Sequence, residues 1–266
     1  MRSGDESPGR GRDLAGRRVL VVGASAGIGR AFANRALLQG ARVVVAARRS
    51  DRLSELVRSN DALAVTCDVR NPDDCRRMLE EATSALGDLD LLVYCAGVAP
   101  LRPMVETTED DWASVLETHV LGLHHTIQAA MRHLSESGVI AVLSSETVGK
   151  PRPGLGAYGA SKAALEECVR AWRLEHPSRR LVNVAIGATF PTEFGDAFDP
   201  KVLKSAIDDW TRHGLMTEKM LDPDDVAGAL AGTLASALDF PRVGFEDIVL
   251  RPPSPVVNRF SVRPEE

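Results

Sequence analysis

The sequence has no excess of positive charge: 32 Lys and Arg stand against 37 Asp and Glu, a net charge of -5. A chain of that balance presents no basic face, so nucleic acid is not expected as its partner. Cysteine is scarce. The four present, Cys67, Cys75, Cys95 and Cys168, form no C-x-x-C pair and no metal-ligand spacing, which fits reduced thiols in a cytoplasmic protein. The histidines form no ligand set with acidic residues either, so no metal is assigned. No stretch approaches 18 uninterrupted apolar residues, and no membrane-spanning helix is expected. Met1 to Asp13 is rich in Arg, Gly, Ser and Asp and lacks the apolar region of a secretion signal; it is expected as a flexible tail.

What is present is ordinary for a globular chain. Apolar residues make up 44% and charged residues 26% of 266 positions, enough for one large domain with its own core. Strand-length apolar runs alternate with helical patterns, which predicts an α/β fold, a Rossmann-type doubly wound parallel sheet of about seven strands with helices on both faces. The strands are expected over Arg17 to Val22, Arg42 to Ala47, Ala62 to Cys67, Leu89 to Cys95, Val139 to Ser144, Leu181 to Ile186 and Asp247 to Leu250. Helices are expected after the first glycine turn, from about Asp51, after Asn71-Pro72, over Thr108 to Met131, over Tyr158 to His176, and over Val226 to Leu238 behind an Asp222-Pro223 start. Between Thr189 and Leu221 aromatic and charged residues mix without a period, and this excursion is expected to be a lid. The domain runs over 14–252, with 253–266 as a second tail.

Open parallel sheets bind ligands beyond the carboxyl ends of their strands, where strand order reverses. The residues that carry chemistry here cluster after strand ends. After the first strand comes Gly23-Ala-Ser25-Ala26-Gly27-Ile28-Gly29. Its glycines allow a tight turn and close approach of a pyrophosphate, and the following helix start offers free N–H groups. The second strand ends in Ala47-Arg48-Arg49. No carboxylate stands there to bind both ribose hydroxyls of NAD, whereas an arginine takes a 2′-phosphate through a charge-assisted fork. NADP(H) is therefore expected over NAD(H), with Arg48 taking the 2′-phosphate and Arg49 beside it in the cofactor site.

Ser145 and Tyr158-Gly-Ala-Ser-Lys162 follow the fifth strand. On a helix, Tyr158 and Lys162 lie one turn apart on one face. A nearby ammonium favours phenolate and is expected to lower the tyrosine from its usual value of about 10. Such a tyrosine is a general acid/base, with Ser145 holding the same substrate oxygen.

In this order and spacing, these marks, with Asp68-Val69 and Ala96-Gly97 after the third and fourth strands, resemble the short-chain dehydrogenase/reductase family of single-domain type. The resemblance implies that Asp68 and Val69 contact the adenine ring, that Ala96 and Gly97 flank the cofactor near the adenine ribose, and that Thr192 contacts the nicotinamide carboxamide. It also implies that Tyr158 is the acid/base, that Ser145 orients the substrate, and that Lys162 binds the nicotinamide ribose. Homo-oligomers, dimers or tetramers, are implied as well, with the long helices paired across two-fold axes.

The chain departs from the family pattern at four places. Val22 stands where a threonine is usual, Cys95 replaces the Asn of Asn-Ala-Gly, and Gly187-Ala188 replaces Pro-Gly after the sixth strand. His119-Val-Leu-Gly122 replaces Asn-x-x-Gly, a pattern whose Asn holds a relay water through its backbone. Two readings of His119 stay open: a filler of the site, or an imidazole that joins the proton relay. The function expected is hydride transfer between NADP(H) and an alcohol or carbonyl compound. The alternatives are a cofactor-sensing binding protein without turnover and a non-redox epimerase or lyase on the same scaffold.

Overall fold

The computed structural model describes residues 13–58, 62–195, 198–216 and 219–253, so the two expected tails lie almost wholly outside the described residues. Seven parallel strands form one sheet in the order β3-β2-β1-β4-β5-β6-β7. They are β1 (Arg18–Val22), β2 (Arg42–Ala47), β3 (Ala62–Thr66), β4 (Leu89–Tyr94), β5 (Leu134–Ser145), β6 (Arg180–Ile186) and β7 (Asp247–Leu250). Strand order reverses between β1 and β4, and the loops beyond their carboxyl ends meet there.

Side chains alternate across a strand, so a sheet covered on both faces needs apolar residues at every position. Val19 and Val21 of β1 face one side with Val43, Val45, Leu91 and Val93, under α1 (Gly27–Leu38), α2 (Ser50–Arg58) and α8 (Pro223–Asp239). Leu20 and Val22 face the other side with Val44, Leu92 and Ile140, under α3 (Pro72–Leu86), α5 (Gly122–Ala130) and α6 (Gly156–Glu175). Helix starts follow local chemistry. Asn71 caps α3 by accepting from the Asp73 N–H at 2.9 Å, and Asp222 caps α8 from the Asp224 N–H at 2.7 Å.

The structure differs from the sequence reading in three places. The expected lid contains a regular helix, α7 (Pro200–Arg212), opened by Asp199, whose carboxylate accepts from the Lys201 and Val202 N–H groups. Strand β5 starts at Leu134, because Leu134 pairs with Leu89 through a register shift that carries the polar segment Ser135 to Gly138. The long helix expected over Thr108 to Met131 is three pieces: α4 (Glu109–Leu116), a π-helical turn Glu117–Leu121, and α5. Its start is as expected, with Thr108 and Asp111 forming a reciprocal capping box.

The π-helical turn is held from below. Tyr94, at the end of β4 and fully buried, donates its hydroxyl to the Thr118 carbonyl at 2.6 Å. A buried carbonyl stripped of its donor costs about 1–3 kcal/mol. Tyr94→Phe is therefore expected to lose about that much stability in urea titrations, and a loss below 0.5 kcal/mol would show that the turn does not depend on this bond.

Candidate active site

The glycine turn is shaped by how closely it packs on β4. A Cβ at Gly23, whose φ is +88°, would meet the Ala96 nitrogen at 2.5 Å, and one at Gly29 would meet the Gly23 carbonyl oxygen at 2.4 Å. Cys95 lies in the same contact, its N–H donating to the Val22 carbonyl at 2.7 Å and its Cβ 3.0 Å from the methyl that Gly29 lacks. A small side chain fits there, which accounts for the thiol at Cys95. Gly27 is different. It is nearest to the Thr192 side chain, at 3.7 Å from its absent Cβ. Helix α1 begins at Gly27 behind Ala26, with no side-chain cap and no acidic residue in its first turn. That leaves donors and a positive helix end for an anion.

The two arginines after β2 point to different neighbours. Arg49 donates to Ser25 Oγ in the glycine turn at 3.1 Å and pairs with Glu193 at 2.7 Å. The charge of Arg48 acts instead on Asp68. Asp68 is held by the Arg70 guanidinium at 2.6 Å, which, with the Arg48 charge, keeps its carboxyl below the usual range. Arg49 thus stands over the glycine turn, while the charge of Arg48 reaches the end of β3.

At the end of β5, Ser145 Oγ accepts from the Thr147 N–H at 3.2 Å and from the Thr147 hydroxyl at 3.0 Å. Both bonds use oxygen lone pairs, so the Ser145 proton is turned away from Thr147. The Ser145 hydroxyl acts on the Tyr158 phenol, favouring its ionised form. Tyr158, Ser161 and Lys162 are buried on α6. Lys162 Nζ donates to the Leu143 carbonyl at 2.9 Å and stands 5.9 Å from the Tyr158 ring centroid.

The expected lowering of the tyrosine by Lys162 is reversed. Burial pushes the Tyr158 phenol above its ordinary value, opposed by the Ser145 hydroxyl and by the charge of Arg152. Burial also pulls Lys162 down to about 8. Both groups lose hydration as they enter the site, and for each the charged form suffers most. Arg152, itself buried, forms an ion pair with Glu146, donates to the Leu215 carbonyl at 3.2 Å and lies over the Trp210 ring. Glu146 in turn accepts from the Ala188 N–H at 3.0 Å. This ties the loops after β5 and β6 to the segment after α7. Neither Arg152 nor Thr147 carries a recognisable motif; their roles come from burial, which the sequence does not display.

His119 lies in the π-helical turn and is wholly buried. The Val98 N–H can only donate, and it reaches Nε2 at 3.1 Å. Nε2 therefore accepts, and the ring proton is assigned to Nδ1, which donates to Ser161 Oγ at 2.8 Å. Ser161 passes its own hydrogen to the Tyr158 carbonyl, also at 2.8 Å. Burial, then the Lys162 charge, hold the imidazole well below its ordinary value. Both ring nitrogens are engaged with the protein, fixing the Gly97–Val98 loop against α6. Among the described residues no group of three or more His, Cys, Asp or Glu is placed to hold a metal, and no helix is long and apolar enough to cross a membrane.

The family model described as short chain dehydrogenase matches residues 17–201. A glycine betaine reductase of Emericella nidulans is 30% identical over 249 residues, covering 90% of this chain, but the chain spans only 19% of that protein's length. An uncharacterized oxidoreductase of Listeria innocua is 29% identical over 92% of this chain and 95% of its own length. Among solved structures, a short chain dehydrogenase from Burkholderia cenocepacia in complex with NADP superposes with a TM-score of 0.77 at 28% identity, covering 90% of this chain and 97% of that one.

The buried imidazole makes stability depend on pH. The unfolded chain takes up a proton on His119 below about pH 6.5 that the native state refuses, so the His119 contribution to stability falls with pH below that point and is level above it. His119→Asn is expected to remove up to about 1.4 kcal/mol per pH unit of that acid sensitivity between pH 6.5 and 5. Urea midpoints that fall equally for both proteins on acidification would show that the ring is not held neutral.

Proposed function

The chain belongs to the short chain dehydrogenase family, and from that premise we propose that it transfers a hydride between NADP(H) and an alcohol or carbonyl substrate, with Tyr158 as general acid/base. The observation that carries this reading is that Ser145, Tyr158 and Lys162 are buried together at the carboxyl edge of the sheet, with the Ser145 hydroxyl acting on the Tyr158 phenol. A non-catalytic sensor has no need of a positioned phenol–hydroxyl pair.

The residues fit a phosphorylated dinucleotide. The uncapped start of α1 at Gly27 and Arg49 beside Ser25 supply donors and positive charge where its phosphates need them. Arg48 and Arg49 would hold the 2′-phosphate, Asp68 and Val69 would border the adenine, and Ala96 and Gly97 the adenine ribose. Lys162 would reach the nicotinamide ribose and Thr192 the carboxamide. The bound nicotinamide supplies the hydride chemistry. Ser145, its oxygen already loaded by Thr147, turns its proton toward the substrate oxygen and stabilises charge growing there. Tyr158 gives that oxygen a proton in reduction and removes one in oxidation. The raised phenol favours the protonated, donating form, and Arg152 moderates the shift. His119 acts as a positioning residue rather than a relay member, because both its nitrogens are occupied. Exposed Leu121 and Leu174, on the π-helical turn and α6, support self-association through these helices.

Titration with NADPH and NADH, followed by thermal shift, tests the cofactor. NADPH is expected to bind more tightly, and Arg49→Ala to weaken it about ten- to a hundredfold, the range of a lost charge-assisted bond. Tyr158→Phe is expected to keep NADPH binding while losing transfer of deuterium from labelled cofactor to a carbonyl product. Tighter NADH binding would sink the NADP reading. Product formed by the wild type without the label would favour the non-redox alternative.

A further inference from the structure

We propose that Glu193 is a cofactor-discriminating residue: an internal carboxylate that occupies the cationic site after β2, which only a phosphorylated cofactor can take from it. The proposal rests on the NADP(H) reading above and adds a competitor to it.

Glu193 comes from the far end of the chain, in the short 3-10 turn Glu193–Gly195 that follows β6. Its carboxylate nevertheless lies 2.7 Å from Arg49 and 3.7 Å from Arg52. Arg49 simultaneously donates to Ser25 Oγ of the glycine turn. A carboxylate set between two guanidiniums, one of them fixed to the glycine turn, occupies the electrostatic position of a phosphate monoester. Its neighbours close on the remainder of the cleft. Thr192 lies over Gly27, and the Phe194 ring meets Tyr158 edge-on with centroids 5.3 Å apart. Three consecutive residues thus touch the glycine turn, the cation pair and the phenol. The base of this strap is anchored by backbone bonds from the Phe190 N–H to the Leu221 carbonyl and from the Leu221 N–H to the Ala188 carbonyl.

A 2′-phosphate carries about -1.5 to -2 charge near neutral pH, against -1 for a carboxylate, and has three acceptor oxygens to offer a guanidinium. It outcompetes Glu193 for Arg49. A cofactor with a hydroxyl at that place has nothing to offer the arginines in exchange and leaves the Glu193 contact intact. Glu193 therefore lowers the affinity for the phosphorylated cofactor and leaves that for the other unchanged. The groups are part-exposed, with side-chain accessibilities of 47% for Arg49 and 32% for Glu193, so the effect belongs to the range of solvent-screened pairs.

The test is the dissociation constant of the full chain for NADPH and for NADH, measured at low salt with and without Glu193→Gln. The variant is expected to bind NADPH about two- to fivefold more tightly and NADH as before. In an Arg49→Ala background the same substitution is expected to bring no gain. If the wild type prefers NADPH but Glu193→Gln changes neither constant, or changes both alike, the competitor is overturned and the NADP(H) reading stands. If the wild type prefers NADH, the NADP(H) reading fails first and the proposal falls with it.

Discussion

Burying an ammonium beside a phenol and an imidazole obliges each of their polar atoms to find a partner inside the protein. The upper edge of the sheet is arranged around that demand. Lys162 takes the Leu143 carbonyl at the end of β5, His119 takes the Val98 amide and the Ser161 hydroxyl, and Ser161 hands its proton back to α6. Ser145 is satisfied by Thr147. The result is a chain of bonds running from the π-helical turn through α6 to the ends of β4 and β5. A network in a poorly hydrated site is stiff when every member is satisfied, and stiffness is what a proton-transfer geometry requires.

The same lack of hydration sets the electrostatics. Tyr158 and Lys162 are displaced toward their neutral forms by burial, in opposite directions on the pH scale. The cation acting on the tyrosine is Arg152, whose own charge is balanced by Glu146. That ion pair also braces one wall of the cleft, because it joins the loop after β5 to Ala188 and Leu215. Wall and charge are thus one construction. A change of residue there alters the shape of the pocket and the field on the phenol together.

Much of this was legible in the sequence where the signal is local. The order of strands and helices follows from apolar period, and the starts of α3 and α8 follow from Asn71-Pro72 and Asp222-Pro223, whose capping side chains bond within two residues. Asp199-Pro200 carries the same signature for α7, yet the aromatic and charged residues around it hide the period of that helix. The Ser145, Tyr158 and Lys162 set was legible as a set. The sign of its electrostatics was not, because desolvation depends on what the fold brings over the group rather than on its sequence neighbours. For the same reason neither the action of Arg152 on the phenol nor the Thr147 bonds to Ser145 could be read from the loop that carries them, and the sequence pointed to Arg48 as the phosphate arginine where Arg49 is the one bonded to Ser25 of the glycine turn.

The π-helical turn between α4 and α5 separates two helical segments that would otherwise share one register. Each residue of an α-helix advances by about 100°, and a π-turn absorbs one residue more than an α-turn does. Upstream of it the helix follows its own capping box; downstream, Leu123 and Ile127 are locked onto the sheet. The turn therefore works as a one-residue gearbox. A chain one residue shorter there would close as plain α-helix with both segments facing as they do, whereas the present chain closing as plain α-helix would rotate α4, with the loop that leads into it, by about 100°, more than a quarter turn.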